Sequence, residues 1–313
     1  MHGPATPTNT TTATFADRLA EGVAARESQI VLGLDPDPAR LWPAALAAAP
    51  AHGSPAQRAA AAVQSHCAAL IDAAGPACVA VKPQLACFER LGAPGWAALA
   101  ATVAHARSKG LIVLADAKRG DISVSAAAYA QALVGSTATP FGDVDGLGAD
   151  AFTANPLLGI DALVPLVDGA RAAGAGVFVL VRTSNPGAKD VEDLVLAGGE
   201  TVWERLARIV AQLGEPASAH SGLSDIGAVV GATAPEHVAR MRELMPRTPF
   251  LLPGIGAQGG RVEDMAPAFA PGRAGGLVSA SRSIASAHET TGAEPGAAAR
   301  AEAERLRAAA WSL

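Results

Sequence analysis

The stretch GWAALAATVAHARSKGLIVLADAKRGDI, residues 95–122, holds one helix-and-strand unit of the chain and the point where its charged residues begin. Its first part places Trp96, Leu99 and Val103 on one helical face, with Gly110 as a stop signal. Its second part, LIVLAD, is apolar enough to be buried on both faces of a sheet. Then Asp116, Lys118, Arg119 and Asp121 fall within six positions. Ionised side chains are rarely buried without partners, because each is costly to remove from water. The run therefore ends either in a solvated strand end or in a site.

The same alternation continues in both directions. Strands are expected at QIVLGL (29–34), CVAVK (78–82), LIVLAD (111–116), AFTAN (151–155), GVFVLV (176–181), GAVVG (227–231), PFLLP (249–253) and GGLVS (275–279). Ala-rich helical patterns lie between them, among them TVWERLARIVAQLG (201–214), with Val202, Leu206, Ile209 and Leu213 on a stripe and Gly214 just after it. Near-continuous apolar strands separated by helices imply a parallel sheet covered on its outer face. Eight such units predict an α/β fold of the (β/α)8 TIM barrel type. It would be a single domain over residues 14–313, behind a Thr- and Pro-rich tail, 1–13, expected to be disordered. A barrel of about 250 residues fits within the 313 present. A doubly wound open sheet is the competing architecture, but its G-x-G-x-x-G is missing after the first strand, which ends in GLDPDP. The long connections at 36–55, 135–150 and 183–198 fall beside strand ends, so long loops are expected on the C-terminal rim.

Composition excludes several function classes. Net charge is −5 with no Lys/Arg block, which argues against nucleic-acid binding. No apolar run approaches the roughly 18 residues needed to cross a bilayer, and the start lacks a signal-peptide pattern. A cytoplasmic protein without a membrane partner is the expectation. Cys67, Cys78 and Cys87 are too few and too irregular for a disulfide framework and read as core or near-core thiols. None of the seven histidines stands at an expected strand end or has metal-ligand spacing, and no G-x-S-x-G elbow occurs. The chemistry should then rest on lysine and carboxylate, with no metal.

Polar residues collect where the strands end: Asp35 after the first, Lys82 after the second, Asp116 and Lys118 after the third, Asn155 after the fourth, Arg182 to Asn185 after the fifth. Gln258 lies beyond the seventh, and Ser281 with Arg282 beyond the eighth. A barrel puts all of these on one rim, where barrel active sites are built. An isolated D-x-K is ordinarily a surface ion pair, but here charge recurs around the rim. In extended backbone Asp116 and Lys118 point the same way and Arg119 elsewhere. Gly120 permits a sharp turn that leaves the aim of Asp121 open. In LLPGIGAQGG (251–260) four glycines are expected to leave backbone N–H groups free for an anion. GLVSASRSI (276–284) supplies a second turn with Arg282. Barrel phosphate sites commonly use the turns after strands seven and eight, so a phosphorylated ligand is expected.

DAKRGDI (116–122), KPQLACFE (82–89), LGLDP (32–36), RTSNPGA (182–188), PGIGAQGG (253–260) and SRSI (281–284) together resemble the orotidine 5'-monophosphate decarboxylase family, in order from about residue 15 to 290. The long bacterial subfamily (type 2) is the most similar, through KPQ with RTSNPG and the extra connection before DAFTANPLLG. D-x-K-x-x-D alone is shared with related sugar-phosphate decarboxylases. The resemblance implies a cytoplasmic homodimeric barrel that converts orotidine 5'-monophosphate to UMP and CO2, the last step of pyrimidine nucleotide synthesis, with no metal or organic cofactor. By motif, Lys82, Asp116, Lys118 and Asp121 would form the family's alternating network, with Asp121 reaching the neighbouring subunit's site. Ile122 and Ser125 would cross with it. Asp35 matches the ribose-contacting aspartate and Ser184 the residue that meets the pyrimidine amide. Gln258 and Arg282 match the phosphate grip, and Pro253 and Ser281 stand beside them as substrate-binding positions. Lys118 would stabilise and protonate the C6 carbanion. Cys87 and Val181 depart from the family pattern at positions that carry no chemistry, and Asn155 and Arg182 are open between ligand contact and loop bracing.

Four other readings stay open on the residues alone. A class I aldolase would use Lys118 as a Schiff base, though flanking carboxylates favour the charged amine. A sugar-phosphate decarboxylase would depend on magnesium. A non-catalytic nucleotide binder would gain little from clustered charges. An interaction surface fits poorly with 4% aromatic residues.

Overall fold

A computed structural model describes residues 13–256 and 258–313. Eight parallel strands close into a barrel in chain order: β1 (Ile30–Leu34), β2 (Ala80–Pro83), β3 (Ile112–Arg119), β4 (Ala151–Ala154), β5 (Gly176–Arg182), β6 (Ile226–Val230), β7 (Phe250–Leu252) and β8 (Gly276–Ala280). β8 pairs back onto β1 with Ile30 opposite Val278. All eight expected strands are present and buried, because a parallel barrel strand is covered on both faces and needs apolar residues at nearly every position. Cys67 and Cys78 are buried and Cys87 half-buried, as read.

Some helices begin where the sequence supplies caps. Ser54 and Gln57 form a reciprocal capping box at the head of Pro55–Ala74, and Thr201 with Glu204 does the same for Val202–Leu213. The inner and outer faces of the strands make two distinct cores. Ile30, Val81, Val113, Phe152, Val177 and Val278 pack outward against the helices. Val31, Leu114, Phe178, Leu251 and Leu277 pack with Phe15, Leu19 and Val23 of the helix Phe15–Arg26. That helix covers the N-terminal end of the barrel. Phe15 meets Phe178 edge-on at 6.0 Å, and a Cβ at Gly176 would stand 2.4 Å from the Phe15 ring, so β5 starts with glycine. Ala16 donates its N–H to Asp225 Oδ1 at 2.8 Å.

Three expectations are corrected. The buried face of Val202–Leu213 is Trp203, Ala207 and Val210, while Leu206, Ile209 and Leu213 are only half-buried. The Trp203 ring lies 5.2 Å from that of His237, which turns the helix by about one position from the aliphatic stripe. Trp96 is 42% exposed although Leu99 and Val103 are buried; this helix closes instead on Gly95, where a Cβ would meet Phe88 O at 1.9 Å. The connection 135–150, expected as a long loop of the C-terminal rim, instead runs from the helix Ser123–Leu133 into the start of β4, at the N-terminal end of the barrel, and it is not irregular. It holds an antiparallel hairpin, Ser136–Thr139 with Gly142–Asp145, hidden because its strands are small, polar and exposed on both faces. The tail read at 1–13 lies outside the described residues except for Ala13; Thr14 caps the first helix by accepting the Asp17 N–H at 3.2 Å.

Asp17 closes this end of the barrel by accepting from Ser218 Oγ at 2.5 Å and Ser221 N–H at 3.1 Å. Burial opposes its ionisation, but these hydrogen bonds prevail and bring its pKa from 3.8 down to about 2. Its stabilisation is therefore complete above the ordinary carboxylate value and is lost as pH falls through about 2. Asp17→Asn should lower unfolding free energy by about 1–3 kcal/mol at pH 7 and by much less near pH 2, measured by denaturant titration.

Candidate active site

Asp116 is the centre of the rim. β2 and β3 are neighbours, and the pairing continues past β2 as a bridge between Gln84 and Asp116. Lys82 Nζ donates to Asp116 Oδ2 at 2.6 Å and Gln84 Nε2 to the same oxygen at 3.1 Å. Lys118 Nζ donates to Oδ1 at 2.6 Å, and Thr153 Oγ1, from the adjacent β4, donates to Oδ1 at 2.9 Å. Four donors thus meet the roughly four lone-pair sites of a carboxylate. Asp116 and Lys82 are 6% and 7% exposed. Burial alone would protonate this carboxyl, but the charges of Lys82 and Lys118 outweigh it and hold Asp116 well below the usual carboxylate range. Burial likewise presses the Lys82 amine down, but Asp116, then Asp35, outweigh it and raise its pKa. Both groups are ionised at neutral pH.

The backbone reaches this arrangement by a route the sequence does not show. Lys118 is in the left-handed region, φ 48°, and the register of β3 against β4 shifts between Ala115 and Arg119. A non-glycine residue there costs about 1–2 kcal/mol, and the Lys118 N–H is held by Thr153 Oγ1 at 2.9 Å. Lys118 and Asp116 do meet, though through a bulge rather than extended alternation. Arg119 turns away to pair with Glu89 and lie over Tyr129. Gly120 is required by close approach, not by a left-handed turn, since a Cβ would stand 2.9 Å from Asn155 O. Asp121 is half-buried, accepts the Ile122 N–H at 2.7 Å and makes no ion pair with Lys118 within the chain among the described residues. Ile122 is 56% exposed, and Ser125 is exposed at the start of the helix Ser123–Leu133.

The other expected residues stand around the same rim. Asp35, Ser281 and Arg282 line a cavity of about 150 Å³ that also meets His66. A Cβ at Gly33 would be 2.6 Å from Ser281 Cβ, which shows how closely the ends of β1 and β8 approach. Ser184 and Gln258 line a second cavity, of about 520 Å³, with Asn185 and Thr233; Thr233 Oγ1 donates to Ser184 O at 3.0 Å. Pro253 accepts the Ala232 N–H at 2.9 Å. Arg182 braces its loop: it grips Asp193 at 3.2 and 2.9 Å and its own Thr183 carbonyl at 3.0 Å. Asn155 likewise accepts the Leu157 N–H at 2.9 Å.

One site expectation fails. The glycine turn does not leave its amides free for an anion: the N–H groups of Gly256, Gly259 and Gly260 donate to Gly260, Gly256 and Gly254 carbonyls at 3.0, 2.8 and 3.0 Å. The glycines are there to allow φ of 101°, 77° and 91° at 254, 256 and 259. Thr153 and Gln84 belong to the site although their residue types do not mark them out in the sequence. Thr153 was within reach, because it lies two residues after the inward-facing Ala151 and so shares its side of the sheet. Among the described residues, no three or more His, Cys, Asp or Glu gather as a metal-ligand set.

The family model described as "Orotidine 5'-phosphate decarboxylase / HUMPS family" matches residues 28–299. The orotidine 5'-phosphate decarboxylase of Deinococcus radiodurans is 41% identical over 274 residues, 87% of this chain and 89% of its own. That of Haloarcula marismortui is 42% identical over 277 residues, 88% of each. The solved structure of Leishmania donovani OMP decarboxylase has TM-score 0.69 and 33% identity, covering 95% of this chain and 99% of that one. Leishmania donovani UMP synthase has TM-score 0.71 and 35% identity; it covers 96% of this chain, which spans only 57% of it.

Removing the central anion should expose the charge balance. Asp116→Asn leaves the buried Lys82 ammonium without its main partner, which should cost about 3–5 kcal/mol at pH 7. With Asp116 gone, burial dominates and lowers the Lys82 pKa, so the variant's deficit should shrink as pH rises toward about 10 while Lys82 loses its proton. Urea unfolding of both proteins across that range checks the sign.

Proposed function

Because the chain belongs to the orotidine 5'-phosphate decarboxylase / HUMPS family, we propose that the ammonium groups fixed on Asp116 perform its chemistry, with Lys118 as proton donor. The reaction is loss of CO2 from orotidine 5'-monophosphate to give UMP. Departure of CO2 from C6 leaves an electron pair in the ring plane, where the π system delocalises it poorly. Enzymes remove roughly 8–23 kcal/mol from such barriers, and one well-placed donor supplies about 3–4, so several effects must combine.

The observation that carries the reading is the Asp116 carboxylate clamped between two lysines at the strand ends. Lys82 is buried and orients Asp116, whereas the Lys118 side chain is 45% exposed and is the ammonium able to meet a ligand. Lys118 stabilises the developing carbanion and then protonates C6. Asp116, its lone pairs occupied, stays ionised beside the departing carboxylate, where like charge favours its loss. Asp35 with Lys82 meets the ribose, and Ser184 the pyrimidine amide. Gln258 and Arg282, with Pro253 and Ser281, hold the phosphate, so that binding energy from the remote end serves the reacting carbon.

The active form is a homodimer in which Asp121, with Ile122 and Ser125, enters the neighbour's site. Its support is that Asp121 makes no ion pair with Lys118 within its own chain among the described residues, on a segment where Ile122 and Val124 are 56% and 83% exposed, with Leu157 after β4 77% exposed. Such apolar surface marks contact sites. KPQ, RTSNPG and the 136–145 hairpin connection support assignment to the long bacterial (type 2) branch. Residues 14–313 act as one catalytic barrel behind a tail of 1–13. A cytoplasmic location fits a nucleotide-synthesis enzyme; no helix among the described residues is long and apolar enough to cross a membrane.

Chelator-treated protein given orotidine 5'-monophosphate should show loss of the substrate's ultraviolet absorbance. Lys118→Ala should lower kcat by at least about 10²–10⁴-fold while calorimetry still shows UMP binding; near-normal turnover would refute the proton-donor role. In a second test, mixing inactive Asp121→Ala and Lys118→Ala chains should restore activity in heterodimers, each of which holds one intact site. An inactive mixture with heterodimers verified by mass would exclude the shared site.

A further inference from the structure

We infer that Thr153 is a positioning residue that sets the aim of the proton-donating Lys118, an inference that rests on the reading of Lys118 as donor. Thr153 lies on β4, 2% exposed, with one hydroxyl hydrogen and two lone pairs. Its hydrogen goes to Asp116 Oδ1 at 2.9 Å, the same oxygen that receives Lys118 Nζ at 2.6 Å. A lone pair takes the Lys118 backbone N–H at 2.9 Å. One hydroxyl therefore fixes both ends of the lysine: the backbone from which its side chain springs and the anion on which its ammonium rests.

The backbone end matters because Lys118 stands at φ 48°, a conformation its own side chain disfavours. β3 loses regular register with β4 in this interval, so no ladder hydrogen bond holds Lys118 there. Thr153 supplies the bond that the ladder omits. At the anion end, the hydroxyl and the Lys118 ammonium approach one oxygen, and this restricts where Nζ can sit. Gln84 does not duplicate the role, since it binds Oδ2, the oxygen shared with Lys82. Both of Thr153's side-chain hydrogen bonds go to the Asp116–Lys118 pair.

The geometry can be tested without changing shape. Thr153→Val keeps the volume and removes both hydrogen bonds, whereas Thr153→Ser keeps both. In the full chain, Thr153→Val should lower kcat by about 10–100-fold with KM and the UMP dissociation constant within about threefold, the signature of a misplaced reacting group. Thr153→Ser should stay within about threefold of wild type in every constant. As a readout independent of turnover, mass spectrometry after brief treatment with an acylating reagent should show Lys118 modified several-fold faster in Thr153→Val. Unchanged kcat and labelling in the valine variant would overturn the inference, as would loss of KM and kcat together with no rescue by serine. Failure of both Thr153→Val and Thr153→Ala to fold would also overturn it, by marking the hydroxyl as a framework bond. If wild type leaves orotidine 5'-monophosphate intact, the functional reading falls instead, and the labelling result alone decides the placement of Lys118.

Discussion

A buried carboxylate that must have every lone pair met is the constraint on which the rim depends. Asp116 draws donors from β2, from the residue just past β2, from its own strand and from β4. Satisfying them all fixes the relative height of three neighbouring strands and the bulge that closes β3. Stability does not explain the cluster. A buried ion pair replaced by apolar side chains of similar volume is often no less stable, and the barrel interior below it is packed with Val31, Leu114, Phe178, Leu251 and Leu277. On the proposed function, two lysines and an aspartate are gathered here because the reaction needs charge held in a fixed place, anchored on a buried carboxylate.

The opposite end of the barrel carries stability without chemistry. Phe15 fills the N-terminal opening, and Asp17 ties its helix to the 218–221 loop. Arg242 adds a different kind of closure. It is 8% exposed, lies 3.8 Å over the Phe250 ring and donates to the carbonyls of Met245, Thr248, Ala268 and Gly275. Burial lowers its pKa from 12.5 to about 10, and it remains charged. Four carbonyls from two connections, β6 to β7 and β7 to β8, converge on one planar cation, which a lysine point charge could not match.

The barrel was legible because its physics writes directly into sequence. A strand covered on both faces must be apolar throughout, so eight short runs stood out and their charged ends marked the rim. The hairpin at 136–145 was invisible for the converse reason: neither face is buried, so S-T-A-T and G-D-V-D show no alternation. Helix faces were misjudged where one large ring, Trp203, or one small contact, Gly95, overrode the average pattern. At the site, the charged residues announced themselves, but Thr153 did not, because a threonine inside a strand is also simply a good strand former. Its role depends on parity with Ala151 and on the backbone of Lys118, and the second cannot be read from residue types.

That backbone also explains how the rim projects Asp121. Three non-glycine residues among those described have positive φ. One, Glu27, ends a helix, where the conformation is ordinary. The other two, Lys118 (φ 48°) and Ser123 (φ 46°), bracket Asp121 on either side. The chain therefore bends against preference twice within six residues, once to hold the lysine over its own site and once to start the next helix. Between the bends, Asp121 stands apart from the Asp116 network in which the family resemblance would include it, and the exposed Ile122 and Val124 follow. Strain placed at both ends of one short segment, on a barrel closed firmly from below, is consistent with the proposal that Asp121 serves a neighbouring subunit's site.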